Sequence, residues 1–179
     1  MANKTYVKRQ CLAWGLGMVL LMPAAQANTS VVTGFSPNGE ALRLVIGTIA
    51  SANTRVDVAA YTFTSKPVAE ALVNALRRGV QVRVVADFKQ NSDRYSAITF
   101  LANQGVAVRL NDKYLAQHNK FLIVDSVTVQ TGSFNYSSAA SYKNAENVIV
   151  LLNAPGVASD YQSTFDQLWA EGQQVNKTY

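Results

Sequence analysis

From residue 28 onward the chain alternates short runs rich in Val, Ile and aromatic residues with stretches whose apolar positions recur every three or four residues. After Ser36-Pro37, the positions Leu42, Val45, Ile46 and Ile49 have the spacing of one helical face. Arg55 to Phe63 (RVDVAAYTF) reads as a strand. Pro67 then opens a helix carrying Val68, Leu72, Val73 and Leu76, and Gly79 closes it. From Val80 to Ala86, Val alternates with Gln and Arg, as on a strand. Ser92 to Asn103 reads as a helix ending at Gly105, and Val106 to Leu110 as a further strand. Two β-rich runs follow, Lys120 to Asp125 and Val127 to Gln130, joined by a turn at Asp125-Ser126. A short helix after Asn135, a strand from Asn147 to Leu152 and a helix after Pro155 complete the pattern. The last helix places Val157, Tyr161, Phe165, Leu168 and Trp169 on its apolar face.

The early β-α-β-α-β order implies parallel strands joined by right-handed crossovers, and the hairpin spacing near residue 126 implies antiparallel pairing there. The pattern therefore predicts a single α/β domain with a mixed, mostly parallel β-sheet and helices on both faces. No linker, low-complexity tract or internal repeat interrupts it.

Residues 1–27 have a different character. Lys4, Lys8 and Arg9 precede an apolar stretch from Cys11 to Met22, followed by Pro23 and Ala25-Gln26-Ala27. This is the layout of a secretory signal peptide with cleavage after Ala27. About a dozen apolar residues fall short of the roughly 20 that span a bilayer. The expectation is a domain of residues 28–179 exported to the periplasm or secreted, with no stable membrane association after cleavage. Three of the 16 basic residues and none of the 11 acidic ones precede residue 28, which leaves that domain a balance of only +2. Such a charge is compatible with a nucleic-acid partner but does not require one. The only cysteine belongs to the leader, so the domain forms no disulfide and depends on its core.

Candidate chemistry is concentrated between residues 118 and 147. His118 is the only histidine, and Lys120 lies two residues beyond it. In an extended segment both project from one face with Leu122 and Val124, while Phe121, Ile123 and Asp125 take the other. An imidazole beside a fixed positive charge suits attack on a phosphate. Asp125, on the opposite face, fits a structural role at a turn, accepting backbone N–H groups or pairing with a buried basic group. Ser133 and Asn135 are again two apart and carry donors suited to phosphate oxygens, and Gly132 permits a close approach. Each residue also has an ordinary reading. Lys120 can be a surface strand lysine, Ser133 and Asn135 turn formers, and Glu146 a solvated acid ahead of a strand. Tyr114, Phe134, Tyr136 and Tyr142 read first as core or groove wall, with base stacking the alternative. Arg77-Arg78 reads as favourable placement at a helix C-terminus. No metal ligand cluster or cofactor motif is apparent.

The pattern His118-x-Lys120-x4-Asp125-x6-Gly132-Ser133-x-Asn135 resembles the HKD signature of the phospholipase D superfamily. The short chain with one motif copy resembles that superfamily's small bacterial endonuclease branch. The resemblance implies a covalent phosphohistidine mechanism in which one histidine attacks phosphorus and a second protonates the leaving oxygen. It implies that His118 fills either role, that Lys120 and Asn135 bind the phosphate, that Ser133 supports the site, and that Glu146 backs the histidine ring. Two histidines are required and the chain has one, so the expected unit is a homodimer with a composite active site. The leading expectation is a metal-independent, largely sequence-non-specific endonuclease acting on DNA, with RNA as a further substrate. A phospholipid hydrolase with the same residues is the alternative, and a non-catalytic nucleic-acid-binding protein is the third class.

Overall fold

In the computed structural model, the described residues are Met1, residues 28–93 and residues 96–178. The expected leader therefore lies, apart from Met1, outside the described residues. The elements run β1 (Ser30–Ser36), α1 (Glu40–Ala50), β2 (Arg55–Ala60), α2 (Lys66–Arg77) and β3 (Gln81–Asp87). They continue with α3 (Phe88–Asn91), α4 (Ala97–Asn103), β4 (Ala107–Asn111), β5 (Phe121–Val124) and β6 (Thr128–Gly132). The chain then forms α5 (Ser138–Tyr142), β7 (Glu146–Leu152), α6 (Pro155–Glu171) and β8 (Gln173–Gln174).

All eight strands form one sheet in the order β1-β7-β6-β5-β2-β3-β4-β8. The mixed sheet with helices on both faces is as expected, but its pairing is mostly antiparallel. Only β2–β3 and β3–β4 are parallel, because only the connections through α2 and through α3 and α4 return the chain to the same end. β5, β6 and β7 run back and forth beside β2, and β1 and β8 add antiparallel edges.

Side-chain alternation decides the two cores. Val56, Val58, Ala60, Leu122 and Val124 face α1, α2 and α4 in the larger cluster. Ala59, Phe121, Ile123 and Val129 face α6, which contributes Ala158, Phe165 and Leu168. Burying each large apolar side chain in these layers stabilises the fold by about 1.5–3 kcal/mol. Under α6 the fully buried Asp57 is held by two bonds of 2.7 Å from the Arg83 guanidinium, whose plane lies over Phe165. An acid buried among apolar neighbours requires such pairing.

The helix predicted over 92–103 is confined to α4, Ala97–Asn103, and the short α3, Phe88–Asn91, precedes the predicted range. Asp87 accepts from the backbone N–H of Gln90 at the start of α3, and Ser96 accepts from that of Ile98 at the start of α4. Arg77 ends α2 and Arg78 caps it, as expected, and Arg78 also serves the C-terminus of α1. It donates to the carbonyls of Ala50 and Ala52 at 3.1 and 3.2 Å, while Arg77 reaches Gln104. β1 was not apparent in the pattern. It lies along the sheet edge, where Gly34 admits α1: a Cβ there would stand 2.7 Å from Leu44 Cδ1. α6 lies over β2 to β6, and Val31 and Phe35 of β1 remain 54% and 53% exposed.

Candidate active site

Three neighbouring strands assemble the motif. His118 and Lys120 precede β5, Ser133 and Asn135 follow β6, and Glu146 begins β7, so antiparallel register brings all three segments to one end of the sheet. Residues 115–120 are not strand but an anchored approach to it. The Gln117 backbone N–H donates to Asp87 at 2.8 Å, and its side chain donates to the Ala60 carbonyl at 3.1 Å. Its amide oxygen accepts from the Asn119 N–H at 2.8 Å. These ties fix the backbone on both sides of His118 and leave its imidazole exposed.

Lys120 Nζ stands 3.2 Å from His118 Nδ1 and 3.4 Å from Nε2, and donates to the His118 carbonyl at 2.8 Å. The expected juxtaposition of His118 and Lys120 is therefore present. Near-equal distances to both ring nitrogens put the ammonium against the ring as a whole, without committing either nitrogen to it. Lys120 is 8% exposed. Burial lowers its pKa, and the negative charge of Glu146 acts in the opposite direction.

Gly132 has a φ of 146°, and a Cβ there would meet the Asn147 carbonyl oxygen at 2.3 Å. The close approach it permits is thus to β7. It sets Ser133 beside Glu146, with Ser133 Oγ donating to Oε2 at 2.5 Å. Oγ also accepts from the Asn147 N–H at 3.1 Å, so its single proton is committed to Glu146. The other carboxylate oxygen accepts from Asn144 at 2.9 Å. Within one chain Glu146 is hydrogen-bonded to Ser133 and Asn144, and not to the His118 ring. Asn135 Oδ1 is buried without a hydrogen-bond partner. That oxygen is an acceptor, so a phosphate contact from Asn135 has to come from its Nδ2 donor.

Asp125 lies at the opposite end of β5. The turn there has φ of 51° at Asp125 and 61° at Ser126, the primed geometry that suits a twisted hairpin. Its carboxylate accepts from the backbone N–H groups of Asn53, Thr54 and Arg55, each at 2.9 Å, and from the Thr54 hydroxyl at 2.8 Å. Partial burial pushes its pKa up, but these four bonds outweigh that and hold the carboxyl well below the usual range. Phe134 and Tyr136 are fully buried core, whereas Tyr114 and Tyr142 are exposed. Tyr61 received no role in the sequence reading, yet its ring lies 4.3 Å from that of His118.

Among the described residues no cluster of His, Cys, Asp or Glu is arranged to hold a metal, and no helix is long and apolar enough to cross a membrane. A cavity of about 510 Å³ lies beside α2, lined by residues such as Thr64, Glu70 and Phe100 and by none of the site residues. At the site His118 is exposed and Lys120 is buried beneath it. An exposed imidazole beside a buried ammonium, the one able to bond to phosphorus and the other to offset the charge of a phosphate, is an arrangement suited to a phosphodiesterase.

The sequence comparisons agree with that class. A family model described as "Cardiolipin synthase, PLD-like domain" matches residues 45–169, and the chain belongs to the phospholipase D superfamily of phosphodiesterases. Nuc, a phospholipase D family member from Salmonella typhimurium, is 40% identical, with a TM-score of 0.82 over 84% of this chain and 100% of that one. A mitochondrial cardiolipin hydrolase from Chlamydomonas reinhardtii is 32% identical over 121 residues, 68% of this chain and 54% of that protein. A phospholipase D from Rickettsia conorii is 32% identical over 125 residues, 70% of this chain and 62% of that protein. The chain therefore matches less than two thirds of the length of these two curated relatives.

Proposed function

We propose that the protein is a metal-independent endonuclease that cleaves DNA, and RNA as a further substrate, with little sequence preference, at a site shared by two chains. The observation that carries this reading is the Lys120 ammonium held 3.2 Å from the only histidine on an open surface. In the proposed reaction a ring nitrogen of His118 bonds to phosphorus as the P–O bond to the leaving group breaks. The leaving oxygen takes its proton from the partner's His118. Water then adds to phosphorus as the P–N bond breaks, and its proton goes to the partner's imidazole, restoring both rings. The two Lys120 ammonium groups offset the negative charge that develops on the phosphoryl oxygens. Asn135 is the further phosphate ligand, and Ser133 holds Glu146 in place beside the site. In the dimer Glu146 backs a histidine ring, a contact that the single chain does not make.

A second copy suits the molecule for two reasons. One chain has one histidine, and a two-fold axis brings copies of the same residue together. The exposed Val31 and Phe35 offer a surface for that copy, and Phe35 pairs in register with Asn147, which contacts Ser133. We further propose export, with the mature chain beginning at Asn28 in the periplasm or outside the cell; N-terminal sequencing of the protein recovered from its producing cell tests this.

The names of the curated relatives favour a second reading, hydrolysis of phospholipids by the same residues. A plasmid-nicking assay beside a phosphatidylcholine hydrolysis assay, both with chelator present, separates the two. Plasmid nicking without lipid hydrolysis is expected. Lipid hydrolysis without nicking would reverse the choice, and activity lost to chelator and restored by one added metal would remove the phosphohistidine mechanism.

A further inference from the structure

Tyr61 lies immediately beyond β2, at the site end of the sheet. Its ring centroid is 4.3 Å from that of His118, with the planes inclined at 56°, and Lys120 Nζ lies 5.1 Å from the centre of the Tyr61 ring. The second distance is within the roughly 6 Å over which a cation is attracted to an aromatic face. One ring thus touches both groups that the proposed reaction depends on. Its backbone is equally fixed. Asn91, 2% exposed, donates to the Tyr61 carbonyl at 2.5 Å and accepts from the Phe63 N–H at 2.9 Å. The preceding carbonyl, that of Ala60, accepts from Gln117, the residue before His118. The tyrosine hydroxyl makes no hydrogen bond among the described residues, so the contact depends on the ring alone.

We propose that Tyr61 is a positioning residue: its ring forms the wall that holds the His118 imidazole and the Lys120 ammonium in one mutual geometry. The inference rests on the proposed function and adds a residue to it. An exposed imidazole on a surface segment has two free torsions, and an attacking nitrogen must stay in line with phosphorus. Lys120 approaches both ring nitrogens and so selects neither, whereas the aromatic wall limits rotation of the ring. Tyr61 acts through His118 and Lys120 without contacting phosphate, so its loss should lower kcat and leave KM nearly intact.

The test uses the dimeric, tag-free protein and bis(p-nitrophenyl) phosphate, a phosphodiester independent of the choice between nucleic acid and lipid. Tyr61→Leu is expected to lower kcat at least about tenfold with KM within about twofold, since misplacing a reacting group by ~1 Å can cost up to about a hundredfold. Tyr61→Phe keeps the ring and should restore most of the rate. Wild-type kcat in Tyr61→Leu, a loss confined to KM, an equal loss in Tyr61→Phe, or a loss explained by a lowered Tm would overturn the proposal. A second readout does not depend on variants that fold. Because His118 is the only histidine, its imidazole protons are assigned without ambiguity by NMR. Nuclear Overhauser contacts to the Tyr61 ring are expected in the wild type, and their absence overturns the proposal whatever the kinetics. A wild-type protein inactive on every phosphodiester would instead sink the functional reading and leave the NMR contact standing.

Discussion

The two ends of β5 bear residues of the same motif and treat them in opposite ways. At its C-terminal end the Asp125 carboxylate accepts five hydrogen bonds, and its charge is fixed by the backbone of the loop before β2. At its N-terminal end His118 is exposed and Lys120 is buried against it, and among the described residues Lys120 has no ion pair within 4 Å and Asn135 Oδ1, beyond neighbouring β6, has no hydrogen-bond partner. Four strand residues, on the order of 13 Å of chain, separate the two. One end is saturated and the other left open, so a short motif supplies both the anchor of a hairpin and the groups available to a substrate.

Variants should therefore divide by end. His118→Ala is expected to reduce phosphodiester cleavage by about a thousandfold or more while leaving Tm close to the wild type, measured by single-turnover kinetics and calorimetry. Appreciable residual turnover would remove the histidine from the chemistry. Lys120→Met should cost about 10²–10³ in kcat, the usual loss when one donor to developing charge is removed. Glu146→Gln should cost less, about tenfold, because its amide can still meet Ser133 but carries no charge for a histidine ring. If it matched His118→Ala, Glu146 would belong among the groups that move protons.

At the other end, Asp125→Ala should lower stability by about 2 kcal/mol, since a charged acceptor of several bonds is lost at a partly exposed turn. Activity per folded molecule should not change. The sign with pH follows from the depressed pKa. An unfolded aspartate titrates near ~3.9, so the contribution is complete above that value and is lost as pH falls through the lower folded value. Chemical denaturation of wild type and Asp125→Ala between neutral and acid pH should show the gap closing only at the acid end. A gap that widens on acidification would contradict the hydrogen-bonded carboxylate.

Much of this division was legible in the sequence. The turn at Asp125 and the helical spacings of α1, α2 and α6 were legible, but alternation separates Asp125 from His118 by face, whereas the structure separates them by the length of β5. What escaped depends on contacts distant in the chain. β1 is an edge strand with Thr33 and other exposed side chains between its apolar positions, so it lacks the pattern of a buried run. The partner of Glu146 is set by Gly132 drawing β6 against β7, which no local spacing reveals. Tyr61 looked like any strand aromatic, and only the Asn91 and Gln117 ties bring its ring to His118. The early crossovers account only for the β2–β3 and β3–β4 pairs, and carry no information on the antiparallel strands added to either side of them.

Mixed dimers test the shared site most directly. Wild type and His118→Ala chains carrying different tags can be co-purified as heterodimers and assayed for phosphodiester cleavage beside each homodimer. A site that needs both histidines predicts residual activity of a few per cent or less. Heterodimers that keep half the wild-type rate would show that each chain works alone, and the composite site would have to be abandoned.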